Sequence, residues 1–100
     1  MNPLTPRSIE LLEILQEECA EVIQAISKIK RFGLDAYNPA DETETPNSLH
    51  LLNEIGDVVG MVQMFVDEQS DNHEMSEALW AIIEDFATKK REKVQRFLNT

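Results

Sequence analysis

Apolar residues recur at Leu12, Leu15, Cys19, Val22, Ile26 and Ile29, three and four apart, and so mark one face of a helix. With Ser8 able to cap its start and Gly33 to stop it, the pattern predicts a first helix over about residues 8–31. Periodicity then disappears from Phe32 to Asn47, where Pro39, Pro46 and a run of Asp, Glu and Thr predict a mobile loop. Asn47 or Ser48 can cap a second helix reaching about Glu68. Gln69 to His73 is polar, and Asp71 with Glu74 fits a capping box for a third helix ending near Leu98. That helix carries an apolar stripe at Met75, Leu79, Ile82, Phe86, Val94 and Phe97, as if packed on one side. No strand alternation or internal repeat competes, so the expected fold is a single all-α domain over residues 1–100.

The second helix differs from its neighbours. Leu49, Leu51, Leu52, Ile55, Val58, Val59, Met61, Val62, Met64, Phe65 and Val66 point in every direction around its axis. A helix that is apolar all round is buried all round, and two neighbours cannot enclose it. The pattern therefore predicts a helical bundle completed by homo-oligomerisation, as a homodimer or homotetramer.

Composition narrows the class of partner. The 100 residues include 19 acids and 9 Lys or Arg, a net charge of −10, which argues against extended nucleic acid or an anionic membrane as a ligand. No run approaches the ~20 apolar residues of a membrane span. One Cys cannot form an intramolecular disulfide, and Met1 to Glu10 lacks the basic start and apolar run of a signal peptide, so a cytoplasmic location is expected. A chain of this length also gains from an added source of stability, such as a partner subunit or a metal.

The charge is unevenly placed. Residues 32–88 hold 13 acids and no Lys or Arg, while eight of the nine cations form two clusters, Lys28, Lys30, Arg31 and Lys89, Lys90, Arg91, Lys93, Arg96. Glu54 and Asp57 share a face of the second helix with Met61 and Phe65, which puts two acids on an apolar surface. Burying an ionised carboxylate costs several kcal/mol unless a cation or strong hydrogen bonds compensate. The first helix offers more acid, with Glu17, Glu18 and Glu21 as EExxE and Glu18 beside the line of Leu11 and Ile29. If the two helices pack antiparallel, four or five carboxylates meet and repel unless neutralised. An all-oxygen set suits a hard cation, and Mg²⁺ in particular is held by a few carboxylates together with substrate phosphates and water.

EECAE at residues 17–21 followed by EIGD at 54–57, each on a helix, resembles the EExxE and ExxD signature of the MazG-like all-α nucleoside triphosphate pyrophosphohydrolases. The likeness spans Ile9 to Phe65, is closest to small phage and bacterial members over EECAEVIQAISKIKRFG, and extends to the basic C-terminal half of the third helix. The 32 residues between Glu21 and Glu54 exceed the usual family spacing, the extra length falling in the acidic loop. The resemblance implies Mg²⁺-dependent cleavage of a (d)NTP to the monophosphate and pyrophosphate, with Mn²⁺ as a substitute ion. It implies Glu18, Glu21, Glu54 and Asp57 as metal ligands, and Glu17 as an outer-sphere acid or a water-orienting base.

A triphosphate also needs cations for its tail. Lys90 and Lys93 fall within the stripe of the third helix, and Lys28 lies two turns beyond Glu21 on nearly the same face. Both clusters also sit at helix C-termini, where the macrodipole favours cations, so each lysine has two readings. Asn53, beside the acidic pair, is a candidate nucleotide contact, as are Tyr37 and Asn38 in the loop. His50 reads as a surface residue at a helix start or as pocket lining, and His73 as loop. Trp80 can stack a base or pack at a subunit interface, and Cys19 reads as core. A di-iron carboxylate bundle would need Glu-x-x-His pairs, but Asn47 and Ser70 stand three residues before the two histidines. The remaining alternative is a non-catalytic helical dimerisation or adaptor module.

Overall fold

A computed structural model describes residues 1–98, and these form three α-helices with no strand among them. The first, α1, runs Pro6–Phe32, two residues earlier than the expected start. Its cap is Thr5 rather than Ser8. Thr5 is extended and its side-chain oxygen accepts the Ser8 N–H at 3.1 Å, while Pro6 fills the first turn, where a missing N–H costs nothing. Ser8 is instead buried against the cap, its Oγ 3.0 Å from Thr5 Oγ1. At the other end Gly33 adopts φ 95° and donates its N–H to Ile29 O at 2.8 Å, the left-handed stop that a side chain would disfavour.

The segment after Gly33 is an aperiodic loop, as expected, and its polar residues hydrogen-bond with one another and with its backbone. Asp41 Oδ1 accepts the Thr43 N–H at 3.0 Å and the Thr43 hydroxyl at 2.6 Å, and Oδ2 accepts the Thr45 N–H at 3.2 Å. The far end is anchored to the near end, with Asn47 N donating to Ala36 O at 2.8 Å and Ser48 N to Leu34 O at 3.0 Å. Short Asp, Asn and Thr side chains satisfy nearby backbone groups in this way, which gives an aperiodic stretch a defined shape.

The second helix, α2, runs Asn47–Glu68. Asn47 is buried and its amide donates to Gly33 O at 3.1 Å, so it joins the helix to the end of α1 instead of capping it. The third, α3, runs His73–Leu98. Its start is held by Asn72, whose Oδ1 accepts the Met75 N–H at 2.9 Å, not by Asp71 as the capping-box pattern suggested. His73, expected in the loop, is the first residue of α3 and pairs with Glu77 at 2.9 Å.

The chain divides into two compact units, Leu4–Phe65 and a second that joins Met1–Pro3 to the chain from Val66 onward. In the first, α1 and α2 form an antiparallel hairpin. Leu11 and Ala25 are buried on α1, whereas Cys19, expected in the core, and Ile26 are exposed. One helical neighbour covers one line of a helix, so part of the α1 stripe stays open. On α2, Leu52, Ile55 and Val59 are exposed at 63%, 41% and 44%. In the second unit Asn2 and Gln69 exchange backbone and amide hydrogen bonds, and Ser76 Oγ donates to Asp67 Oδ1 at 2.8 Å. Within this unit only the last turn of α2 and the N-terminal residues accompany α3, and its expected packing stripe is open, with Ile82, Phe86 and Phe97 all exposed.

Candidate metal centre

Glu18 stands on the buried line of α1, seven residues from Leu11 and seven from Ala25, so it occupies the position that heptad spacing gives to a core side chain. Glu54 holds the corresponding place on α2, seven residues after the buried Asn47 and on the half-buried side that carries Leu51, Val58, Met61 and Phe65. Each has a more exposed acid one turn further along, Glu21 and Asp57. Because the helices run antiparallel, the two pairs meet. One carboxylate oxygen from each of Glu18, Glu21, Glu54 and Asp57 lies within 4.8 Å of all the others. All four metal ligands expected from the sequence are thus brought together, by residues 33 positions apart in the chain at their closest.

The electrostatics of the cluster follow from that geometry. Burial, followed by the charges of Glu21 and Asp57, holds the Glu18 carboxyl above the usual glutamate range, and Glu17 adds a smaller push. Glu54 is also raised, first by a hydrogen bond shared with Glu21, then by burial and by the charges of Glu21, Asp57 and Glu18. Glu18 Oε2 and Glu54 Oε2 are buried and have no hydrogen-bond partner. Buried oxygens of this kind ordinarily find a donor, and two orphans in one acid cluster call for either a proton or a cation.

A hard divalent cation fits this donor set. The oxygens are all carboxylate, with no Cys or His in the cluster, which favours Mg²⁺, Mn²⁺ or Ca²⁺ over Zn²⁺. Ligands on opposite sides of a Mg²⁺ ion stand roughly 4.2 Å apart, and of a Ca²⁺ ion roughly 5 Å, so four oxygens within 4.8 Å need little adjustment to surround one ion.

Beside the cluster lies a cavity of about 260 Å³ lined by Glu21, Gln24, Ala25, Lys28, Asn47, His50 and Glu54. Lys28 therefore shares a wall with two of the acids, as its helical spacing from Glu21 suggested. His50 lines the cavity too, with its Nε2 3.4 Å from Asp41 Oδ2. Glu17 is exposed on α1 next to Glu18. Asn53 is exposed on α2 and outside this lining, while Lys90 and Lys93 are exposed on α3 in the other unit, where Trp80 is half-buried. Gln24 was not singled out from the sequence, Asn47 was read only as a helix cap, and His50 was read as a surface residue or pocket lining but without its partner Asp41. Asn47 lies seven residues before Glu54, a signal that could have placed it on the same face; the pairing of Asp41 with His50 depends on the loop's path and leaves no local pattern. The chain matches no protein-family model, no curated protein and no solved structure.

Proposed function

We propose that the protein is a Mg²⁺-dependent pyrophosphohydrolase of nucleoside triphosphates, of the MazG-like all-α type that its EExxE and ExxD motifs resemble. The observation that carries this reading is the meeting of Glu18, Glu21, Glu54 and Asp57 within 4.8 Å, two of them with buried, unpartnered oxygens. An acid cluster that raises its own members' pKa values is a liability in a mere scaffold and an asset in a metallohydrolase. The adaptor reading leaves it without a role.

When bound, Mg²⁺ supplies charge neutralisation at the phosphate oxygens and polarises the attacking water. The chain's own residues do the rest. Glu18, Glu21, Glu54 and Asp57 hold the cation, and Lys28 donates to a phosphate oxygen from the adjoining wall. Glu17, beside Glu18 and open to solvent, accepts the proton of the water that attacks the α-phosphorus; the α–β anhydride bond breaks and pyrophosphate leaves with the bonding electron pair. Such a reaction draws on positioning and charge neutralisation, which two rigid helices provide.

The working form is a homo-oligomer. Leu52, Ile55 and Val59 lie within about 60° of one another on α2 and face roughly opposite to Glu54 and Asp57, so a second copy covering them leaves the acids free. No described helix is long and apolar enough to cross a membrane, in keeping with an enzyme of the cytoplasmic nucleotide pool. The test is pyrophosphate release from a panel of (d)NTPs with Mg²⁺ and with chelator. The expected result is chelator-sensitive release from at least one nucleotide; no turnover of any would refute the proposal.

A further inference from the structure

The cavity beside the carboxylates does not end at Lys28. A second cavity of about 690 Å³ shares Lys28, Asn47 and His50 with it and opens between the end of α1 and the loop, against Phe32, Tyr37 and Asn38. The two adjoin at these three residues, and read together as a groove they carry an ordered chemistry. Glu21 and Glu54 stand at one end and Lys28 about 10 Å of helix beyond Glu21. Phe32 follows about 6 Å of helix further on, facing the cavity that Tyr37 also lines. Acid cluster, cation, then aromatic pair is the order in which a metal-bound phosphate tail and a planar heterocycle would need them.

We propose that the loop of residues 33–46 is the nucleoside-binding half of this groove, with the base of the substrate packed against Phe32 and Tyr37 and its edge toward Asn38 and Thr43. The proposal rests on the triphosphate reading of the carboxylate end and adds where the base goes. The two rings are 61% and 46% exposed, apolar surface held open on a wall that already carries hydrogen-bonding groups. Aromatic side chains accept any base on their π-face, and Asn and Thr can read its edge. The loop is preorganised for this. Asp41 clasps Thr43 and Thr45 and reaches His50 at 3.4 Å, and Asn47 ties the far end to Gly33, so little ordering is left for the ligand to impose. Arg31 stacks over Phe32, its guanidinium carbon 5.1 Å from the ring centroid.

Tyr37 is the only tyrosine in the chain, so tyrosine ring resonances report this pocket directly. The experiment titrates full-length protein, in Mg²⁺, with α,β-imido analogues of the nucleoside triphosphates carrying each common base, and separately with inorganic tripolyphosphate. At least one nucleotide analogue is expected to move the Tyr37 ring signals upfield, and tripolyphosphate to leave them in place. Phe32→Ala and Tyr37→Ala, both at exposed positions where folding is not at stake, should each weaken that analogue's binding by about tenfold and leave tripolyphosphate binding unchanged. Tyr37 signals that no nucleotide moves, or variants that bind nucleotide as the parent does, overturn the proposal. The two readings fail separately. If the parent hydrolyses nucleotides and the variants keep its KM, the base site is wrong and the activity stands. If the parent hydrolyses none, yet nucleotides move Tyr37 and the variants weaken them, the base site stands and the activity falls.

Discussion

Removing and restoring the cation should move the stability of this protein in a direction fixed by the carboxylate cluster. In the metal-free protein Glu18 and Glu54 bind their protons more tightly when folded than the ordinary glutamate value of 4.5. The folded state then holds more protons than the unfolded one above that pH, so the contribution of these two carboxyls to stability is fully present below about 4.5 and is lost as pH rises through the raised values. Mg²⁺ binds the ionised form and should reverse the loss at neutral pH, with little effect near pH 4.5, where protons compete for the same oxygens. An ion at ten times its Kd stabilises the folded state by about 1.4 kcal/mol, which for a domain of this size is roughly 6–11 °C in Tm. The assay is thermal unfolding followed by circular dichroism in chelator and over a Mg²⁺ series at constant ionic strength, at pH 4.5 and 7.5. Glu54→Gln removes one charge from the cluster, so its metal-free Tm at pH 7.5 should equal or exceed the parent's and respond far less to Mg²⁺. A Tm in the parent that Mg²⁺ leaves unchanged at pH 7.5, or an equal Mg²⁺ response in Glu54→Gln, would refute the reasoning.

Three further outcomes follow from particular contacts. Lys28→Ala should raise the KM for nucleotide at least several-fold with a smaller change in kcat, and by more than Lys93→Ala, because only Lys28 shares a wall with Glu21 and Glu54. Leu52→Glu with Val59→Glu should reduce the mass measured by light scattering to that of one 11.4 kDa chain, since charges on the open α2 row oppose a subunit contact. The Asp41 carboxyl is lowered to about 2, chiefly by the Thr43 hydroxyl and N–H, so its hold on the loop is present above about 3.8 and lost only as pH falls through 2. Asp41→Ala should therefore speed proteolytic cleavage within residues 33–46 at pH 7, with helix content by circular dichroism unchanged.

The three helices were legible because each carries a long apolar stripe and Gly33 supplies an unambiguous stop. Their starts were less so. Thr5 and Ser8, or Asp71 and Asn72, are equally able to cap, and the choice depends on Pro6 and on the local chain path rather than on residue type. The acid cluster could be read because acids on apolar faces contradict the pattern around them, as Glu54 and Asp57 do beside Met61 and Phe65, and the EExxE and ExxD resemblance picked out its four members. Exposure was not readable in the same way. Cys19 and the α3 row of Ile82 and Phe86 have core-like spacing but nothing within their own unit to cover them. The contacts within the loop were hidden for the opposite reason: Asp41 gathers Thr43, Thr45 and His50, an arrangement in three dimensions with no periodic trace.

The claim that four carboxylates make this chain a nucleotide pyrophosphohydrolase is tested most directly by product analysis in ¹⁸O-labelled water, comparing the parent with Glu54→Gln and Asp57→Asn. The account predicts nucleoside monophosphate carrying the label and unlabelled pyrophosphate from the parent in Mg²⁺. Chelator should abolish both products, and either variant should slow their formation by at least about 100-fold. Label in orthophosphate or pyrophosphate instead, or variants that turn over at the parent's rate, would contradict it.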